Sequence, residues 1–330
     1  MRIAVTGSIA TDHLMVFPGR FADQLLAGRL ECLSLSFLAD SLDIRRGGAA
    51  ANIAYGLGRL GLAPVLVGAV GSDFEPHRVL LKEAGVDTES VRVSADLHTA
   101  RFVCTTDADQ NQIATFYTGA MAEARHIRLA PVLARTGQLD LVLVSPNDPE
   151  AMLRHTRECH RLGLAVAADP SQQLARLERD QVRTLIDGSR MLFTNEYESV
   201  LLHERSGWTQ EQILARTGLW ITTLGAAGSR IRQAGRTPLE VPAAQARRVA
   251  DPTGVGDAYR AGFLAALARG AQLRDAARLG SVSAVLALET VGPQEHLLVR
   301  AELLTRLEEA YGPAAAHAAH ALFPRRGVRS

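Results

Sequence analysis

Short, nearly uninterrupted apolar runs alternate with amphipathic segments along most of the chain. Arg2 to Thr6 is apolar and ends in Gly7-Ser8, which reads as a strand delivering a loop. Val65 to Val70 precedes a helical pattern from Phe74 to Ala84, and Leu139 to Val144 precedes one from Pro149 to Leu162. Leu164 to Ala168 leads to a helix near Leu174 to Ile186, and Met191 to Thr194 leads to a helix over Glu196 to Glu204. Leu219 to Leu224 then runs toward a glycine-rich region and a helical C-terminal third. Strands without polar alternation are buried on both faces. The order therefore predicts an α/β fold with a mostly parallel central sheet covered by helices on both faces.

Two extended regions break this rhythm. Between Leu33 and Arg46, apolar Leu33, Leu35 and Phe37 alternate with Ser34 and Ser36, the pattern of half-exposed strands. A second region runs from Val91 through Arg101–Thr106 to Ile113–Tyr117, with the polar turn cluster Asp107–Asn111 between its strands. They predict a small β-sheet lid made of excursions at about 13–46 and 90–120 from a single domain spanning residues 1–330. The basic tail, Arg325 to Ser330, reads as a frayed terminus.

Composition narrows the function classes. A hydrophobic content of 47% and a charged content of 22% suit a globular protein in water, and a net charge of +1 offers no electrostatic case for nucleic acid or a membrane surface. The chain contains no apolar run of about 18 residues and no leader-like start, so a cytoplasmic location is expected. Cys32, Cys104 and Cys159 are widely spaced without a Cys-x-x-Cys pair, and read as free thiols. Lys82 is the single lysine, which excludes a P-loop lysine and argues against Schiff-base chemistry.

The most informative stretch is Asp251-Pro252-Thr253-Gly254-Val255-Gly256-Asp257, followed at once by the amphipathic Phe263, Leu264 and Leu267. A helix starting here leaves backbone N–H groups unpaired and carries partial positive charge, which suits anionic oxygens. Gly254 and Gly256 let backbone approach a ligand, and Asp257 stands where it can take a proton from a hydroxyl attacking a bound phosphate. The same string also reads as a glycine-rich turn with ordinary acidic decoration of a helix start.

The full string resembles the second signature of the PfkB, or ribokinase-like, sugar and nucleoside kinases, departing from it at Pro252, Val255 and Tyr259. Arg46-Gly47-Gly48-Ala49-Ala50-Ala51-Asn52 resembles the first signature; Thr194-Asn195-Glu196-Tyr197-Glu198 resembles the family's Asn-x-x-Glu motif. Thr222 to Gly228 resembles its nucleotide loop, though it also reads as a hairpin turn, and Gly280–Leu286 with Glu289–Glu295 falls where relatives build an adenine pocket. The motifs occur in family order over about residues 3 to 295. Within the family, Ala4–Leu14, Leu33–Leu38 and Ala168–Arg176 resemble the actinobacterial-type adenosine kinases.

The resemblance implies a ribokinase-like fold and transfer of a phosphoryl group from ATP to the 5′-hydroxyl of adenosine. Asp257 is then the base, with Gly254, Val255 and Gly256 around the transferred group. Asp12, Gly48 and Asn52 would hold the ribose, with Ser8, Ser36, Phe102, Phe116, Gln172 and Gln173 around the base. Asn195, Thr223, Leu224, Gly225, Ala226, Ala227, Gly228 and Gly256 would bind ATP. Asn195 and Glu198 would support Mg²⁺ through water; a monovalent cation such as K⁺ and a homodimer formed through the lid are also implied. A kinase of a free sugar or another nucleoside stays open, as does a non-catalytic ligand-binding relative, although binding alone needs no base at Asp257.

Two further strings look like sites. Gly56-Leu57-Gly58-Arg59-Leu60-Gly61 has the dinucleotide spacing but follows helical sequence and leads into a strand, so it closes a helix rather than opening one. His155, Cys159 and His160 stand among Arg154, Arg157, Glu158 and Arg161, which predicts a solvated helix face rather than a metal site.

Overall fold

The structure, a computed structural model, describes residues 1–24 and 35–323. Its centre is an eight-stranded sheet in the spatial order Leu239–Val241, Ser229–Arg232, Leu219–Thr223, Met191–Asn195, Val166–Ala168, Leu141–Val144, Ile3–Thr6, Val65–Val67. The last six of these are mutually parallel, and the first two close one edge antiparallel.

Side chains leave a strand alternately to opposite faces, so each apolar run feeds two cores. Ile3, Val5, Leu66, Leu141, Leu143, Phe193 and Ile221 join one core with the helices Ala49–Arg59, Val255–Ala268 and Leu273–Leu288. Ala4, Val65, Val67, Val142, Val144, Leu192 and Trp220 join the other with Leu129–Thr136, Pro149–Arg161, Arg179–Ile186 and Glu196–Ser206. This is the ribokinase-like arrangement expected, with the smaller lid sheet beside it.

The lid has four strands in the order Ser41–Gly47, Ala10–Val16, Ala100–Thr106, Gln112–Tyr117. Its central strand, Ala10–Val16, carries no strand pattern in the sequence, because Thr11, Asp12 and His13 are consecutive polar residues. Leu35 to Ala39 forms no strand, and Leu33, Ser34, Cys32 and the basic tail lie outside the described residues.

Other expectations need correction. Val65 to Val70 is two strands: Val65–Val67 belongs to the large sheet, whereas Ala69–Val70 pairs with Arg92–Val93 in a separate ribbon. The helix expected near Leu174 is a 3-10 turn at Ser171–Ala175 followed by Arg179–Ile186. His155 and Cys159 do not lie on a solvated face; both are fully buried, and only His160 faces water. His155 instead ties the helix to the sheet, with Nδ1 2.6 Å from Thr6 Oγ1. The helix Ala49–Arg59 does end where Gly56–Gly61 was expected to close it. Among the described residues, no helix is long and apolar enough to cross a membrane.

Candidate active site

Ligands of open α/β sheets sit beyond the carboxyl ends of the parallel strands, and here those ends converge. Thr6 leads to Ser8, Ala168 leads to Asp169, Asn195 ends its own strand, and Thr223 ends the next. A cleft of about 860 Å³ is lined by Asn195 and Thr223 from two of these ends, and by Gly254, Val255, Gly256 and Asp257.

The loop before the helix Val255–Ala268 is held by Asp251, whose carboxylate accepts from Thr253 N at 2.9 Å, Gly292 N at 3.0 Å and Arg45 Nη1 at 3.0 Å. Gly254 caps the helix with φ 76°, and a Cβ there would collide with Pro293, so both conformation and space require glycine. The helix then places Asp257 in its first turn, where its N–H and that of Gly256 have no partner inside the helix. One turn on, the buried Arg260 donates from Nη2 to buried Asp169 Oδ1 at 2.6 Å. Burial pushes the Asp257 carboxyl above the usual carboxylate range, opposed by Arg260 and by a hydrogen bond from Asn52.

Asn52 Nδ2 donates to Asp257 Oδ2 at 2.8 Å, while Asn52 Oδ1 accepts from Gln294 Nε2 at 2.8 Å. One Asn52 N–H therefore remains for a ligand, and its carbonyl already accepts one hydrogen bond. Asn52 rides on the helix Ala49–Arg59, which starts at Gly48 with φ 94°. A Cβ at Gly48 would sit 2.6 Å from Ser8 O, so this turn also needs glycine. Ser8 closes the helix from outside: its Oγ accepts from Ala49 N at 3.0 Å and its carbonyl from Ala50 N at 3.1 Å.

The lid also faces this loop, although none of its residues lines the cleft. Arg45, Asp12, Phe102 and Phe116 are register partners across its four strands, so they share one face. The Arg45–Asp251 contact turns that face toward the loop before Asp257. Burial and the nearby Asp251 charge push the Asp12 carboxyl up to about 6, against the pull of Arg45.

Not every expected residue joins this group. Ser36 is exposed on coil and makes no hydrogen bond to another site residue among those described. Gln172 is exposed with Oε1 2.8 Å from Ser171 Oγ, and Gln173 donates to Asn147 O at 2.7 Å.

Similarity to known proteins matches this geometry. Residues 12–299 match the model of the pfkB family carbohydrate kinases. The chain belongs to that family. It is 35% identical over 274 residues to a nucleoside kinase of Methanothermobacter thermautotrophicus, covering 81% of this chain and 85% of that one. A ribokinase of Bacillus subtilis is 27% identical over 271 residues, covering 81% and 89%. A Burkholderia thailandensis nucleoside kinase solved in complex with inosine superposes with a TM-score of 0.81 at 34% identity, covering 94% of this chain and 98% of that one.

The walls of the cleft of this pfkB-family chain also include Asn195, Glu198, Thr223, Gly225, Ala226, Gly228, Ser281, Ala284 and Val285. Leu224 and Ala227 belong to the same turn but do not line the cleft. The turn Gly225–Ala227 also joins two antiparallel strands, so the hairpin reading and the loop reading describe one element. Asn195 and Glu198 form a reciprocal capping box: Glu198 Oε2 accepts from Asn195 N at 2.7 Å, and Asn195 Oδ1 accepts from Glu198 N at 2.7 Å. No group of three or more His, Cys, Asp or Glu among the described residues is arranged to hold a metal by itself. Glu198 Oε1 also accepts from Asn195 Nδ2 at 2.9 Å and lies 3.2 Å from Ser171 Oγ, so this buried carboxylate keeps a free lone pair only on Oε2, which suits a cation that retains its water.

Sequence reasoning missed Pro242–Ala246 and Val249 in the cleft wall and the pairing of Asp169 with Arg260; Glu289–Glu295, expected at an adenine pocket, does not line the cleft, and Gln294 bonds to Asn52 instead. The wall segment makes its contribution through small side chains without a motif. The Asp169–Arg260 pair joins residues 91 positions apart, which no local pattern reveals.

Proposed function

We propose that this chain is an ATP-dependent kinase of the 5′-hydroxyl of a purine nucleoside, adenosine being the first acceptor to test. The observation that carries the reading is the row Asp12–Phe102–Phe116 on the inner face of the lid. A carboxylate that accepts from ribose hydroxyls stands beside two rings able to hold a planar base, and a free sugar has no use for the rings. The relatives named as nucleoside kinases support this reading, and the neighbour solved with inosine makes hypoxanthine the natural competitor of adenine.

In this reading, the nucleoside lies between the lid and Asn52, with its 5′-oxygen at Asp257. The free Oδ1 of Asp257 takes the hydroxyl proton as that oxygen attacks the γ-phosphorus, and the bond from that phosphorus to the bridging oxygen breaks so that ADP leaves with the electron pair. The transferred group gathers charge at the start of the helix Val255–Ala268, where the N–H groups of Gly256 and Asp257 point outward. ATP occupies the cleft between the Thr223–Gly228 turn and Ser281–Val285. Asn195 and Glu198 would hold Mg²⁺ through its water, and the ion, when bound, would supply neutralisation of the phosphate charge. Asp257→Asn tests the assignment: turnover should fall by about 10² to 10⁴ while nucleoside binding survives. Near-normal turnover would remove Asp257 as base.

The lid's outer face supports a second copy of the chain as its cover. Leu42, Ile44, Ile113 and Tyr117, between 42% and 57% exposed, lie on the face opposite Asp12. Pairing two lids would bury that face and the sheet edges. Sedimentation of wild type and Ile44→Asp should show a dimer lost in the variant; a wild type that is monomeric at all concentrations would contradict it.

A further inference from the structure

We infer that His77, Gln294 and Asn52 form a polarity-setting chain that positions Asp257, with His77 and Gln294 as positioning residues remote from the substrate. The inference rests on the reading of Asp257 as base.

The links are continuous. His77 Nε2 lies 2.8 Å from Gln294 Oε1, Gln294 Nε2 donates to Asn52 Oδ1 at 2.8 Å, and Asn52 Nδ2 donates to Asp257 Oδ2 at 2.8 Å. His77, Gln294 and Asn52 are 4%, 2% and 6% exposed, so water does not substitute for a broken link. Gln294 follows Pro293, which abuts Gly254, so its segment touches the loop before Asp257 as well.

An amide turned end for end exchanges donor for acceptor, and here each amide dictates the next. With the proton of His77 on Nε2, Gln294 must present its oxygen to His77 and its N–H to Asn52. Asn52 must then present N–H to Asp257. Among the described residues His77 Nδ1 has no partner, which suits a lone pair better than a stranded N–H. Turned the other way, the chain sets the Asn52 carbonyl against Asp257 and favours a protonated acid. The observed sense occupies Oδ2, favours the carboxylate and leaves Oδ1 for the substrate hydroxyl.

The charged groups facing Asp257 are Arg260 on its own helix, Glu198 from the helix Glu196–Ser206, and Asp169 beyond the strand Val166–Ala168. Arg46 faces His77, and burial holds that imidazole neutral, down at about 4. The ring therefore stays neutral across the working pH range.

Gln294→Met removes both links without adding charge. Its kcat should fall by about ten- to a hundredfold, as misplaced catalytic groups do. The acid limb of its kcat–pH profile should move up by about one unit, the effect of one hydrogen bond to a charged group. KM for ATP should stay unchanged, and His77→Phe should move kcat and the limb in the same direction by less. A folded Gln294→Met with the wild-type profile overturns the inference. Should the variants fail to fold, the ring ¹⁵N shifts of His77 in the wild type decide: a proton on Nε2 supports the chain, and one on Nδ1 overturns it. An active Asp257→Asn would instead sink the base assignment and leave the His77 result standing.

Discussion

Phe102 and Phe116 are direct partners across the antiparallel strands Ala100–Thr106 and Gln112–Tyr117, so both rings leave the face of the lid that carries Asp12. Phe116 is 45% exposed, more than a ring serving only the lid's own packing needs. A base stacked on each ring contributes about 1–3 kcal/mol. Phe102→Ala and Phe116→Ala should each raise the nucleoside KM roughly tenfold or more, at 1.4 kcal/mol per decade. KM for ATP should be unchanged. Folded variants with normal nucleoside KM would contradict the slot.

Asp12 adds a pH dependence. Its carboxyl is pushed up to about 6, so it is a carboxylate above that pH and protonated below it. A protonated acid accepts ribose hydroxyls poorly. The nucleoside KM should therefore rise as pH falls below about 6, by up to tenfold per unit, while KM for ATP stays flat. Asp12→Asn should have a high nucleoside KM at every pH. A flat wild-type profile from pH 7 to 5 would contradict the role.

The two glycines of the loop are not equivalent. Gly254 has φ 76° and no room beside Pro293, whereas Gly256 has an ordinary φ and a Cβ there would meet a single side-chain atom, Arg260 Nη1, at 2.9 Å. Left-handed strain costs about 1–3 kcal/mol. Gly254→Ala should lower Tm clearly more than Gly256→Ala; equal losses in a thermal melt would show that the φ at Gly254 is not what matters.

Glu198 carries two duties. Glu198→Gln weakens the capping box and should also raise the Mg²⁺ concentration for half-maximal rate. A lower Tm with an unchanged Mg²⁺ titration would leave Asn195 and Glu198 with the helix cap alone. Replacing K⁺ with another monovalent ion in the same assay tests the expected cation dependence.

The large sheet was legible because its strands are buried on both faces and so are written as continuous apolar runs, as in Leu141–Val144. The loop at Gly254–Asp257 was legible because anion binding at a helix start needs local glycine. The lid's central strand was not, since Asp12 and His13 serve opposite faces of a sheet that is partly open to solvent. The helix Pro149–Arg161 misled through its charges, although Met152, His155, Thr156 and Cys159 at helical spacing mark the buried stripe. The contacts of His77 and Asp169 lie in neither kind of pattern. Their partners are 217 and 91 residues away, and burial alone makes those pairings obligatory.

The most direct test is a coupled ADP-release assay with Mg²⁺ and ATP across adenosine, inosine, other nucleosides, ribose and fructose. The highest kcat/KM should belong to a purine nucleoside, with adenosine ahead of inosine and the free sugars far behind. A preference for ribose or fructose would contradict the central claim, as would a chain that binds nucleosides but releases no ADP.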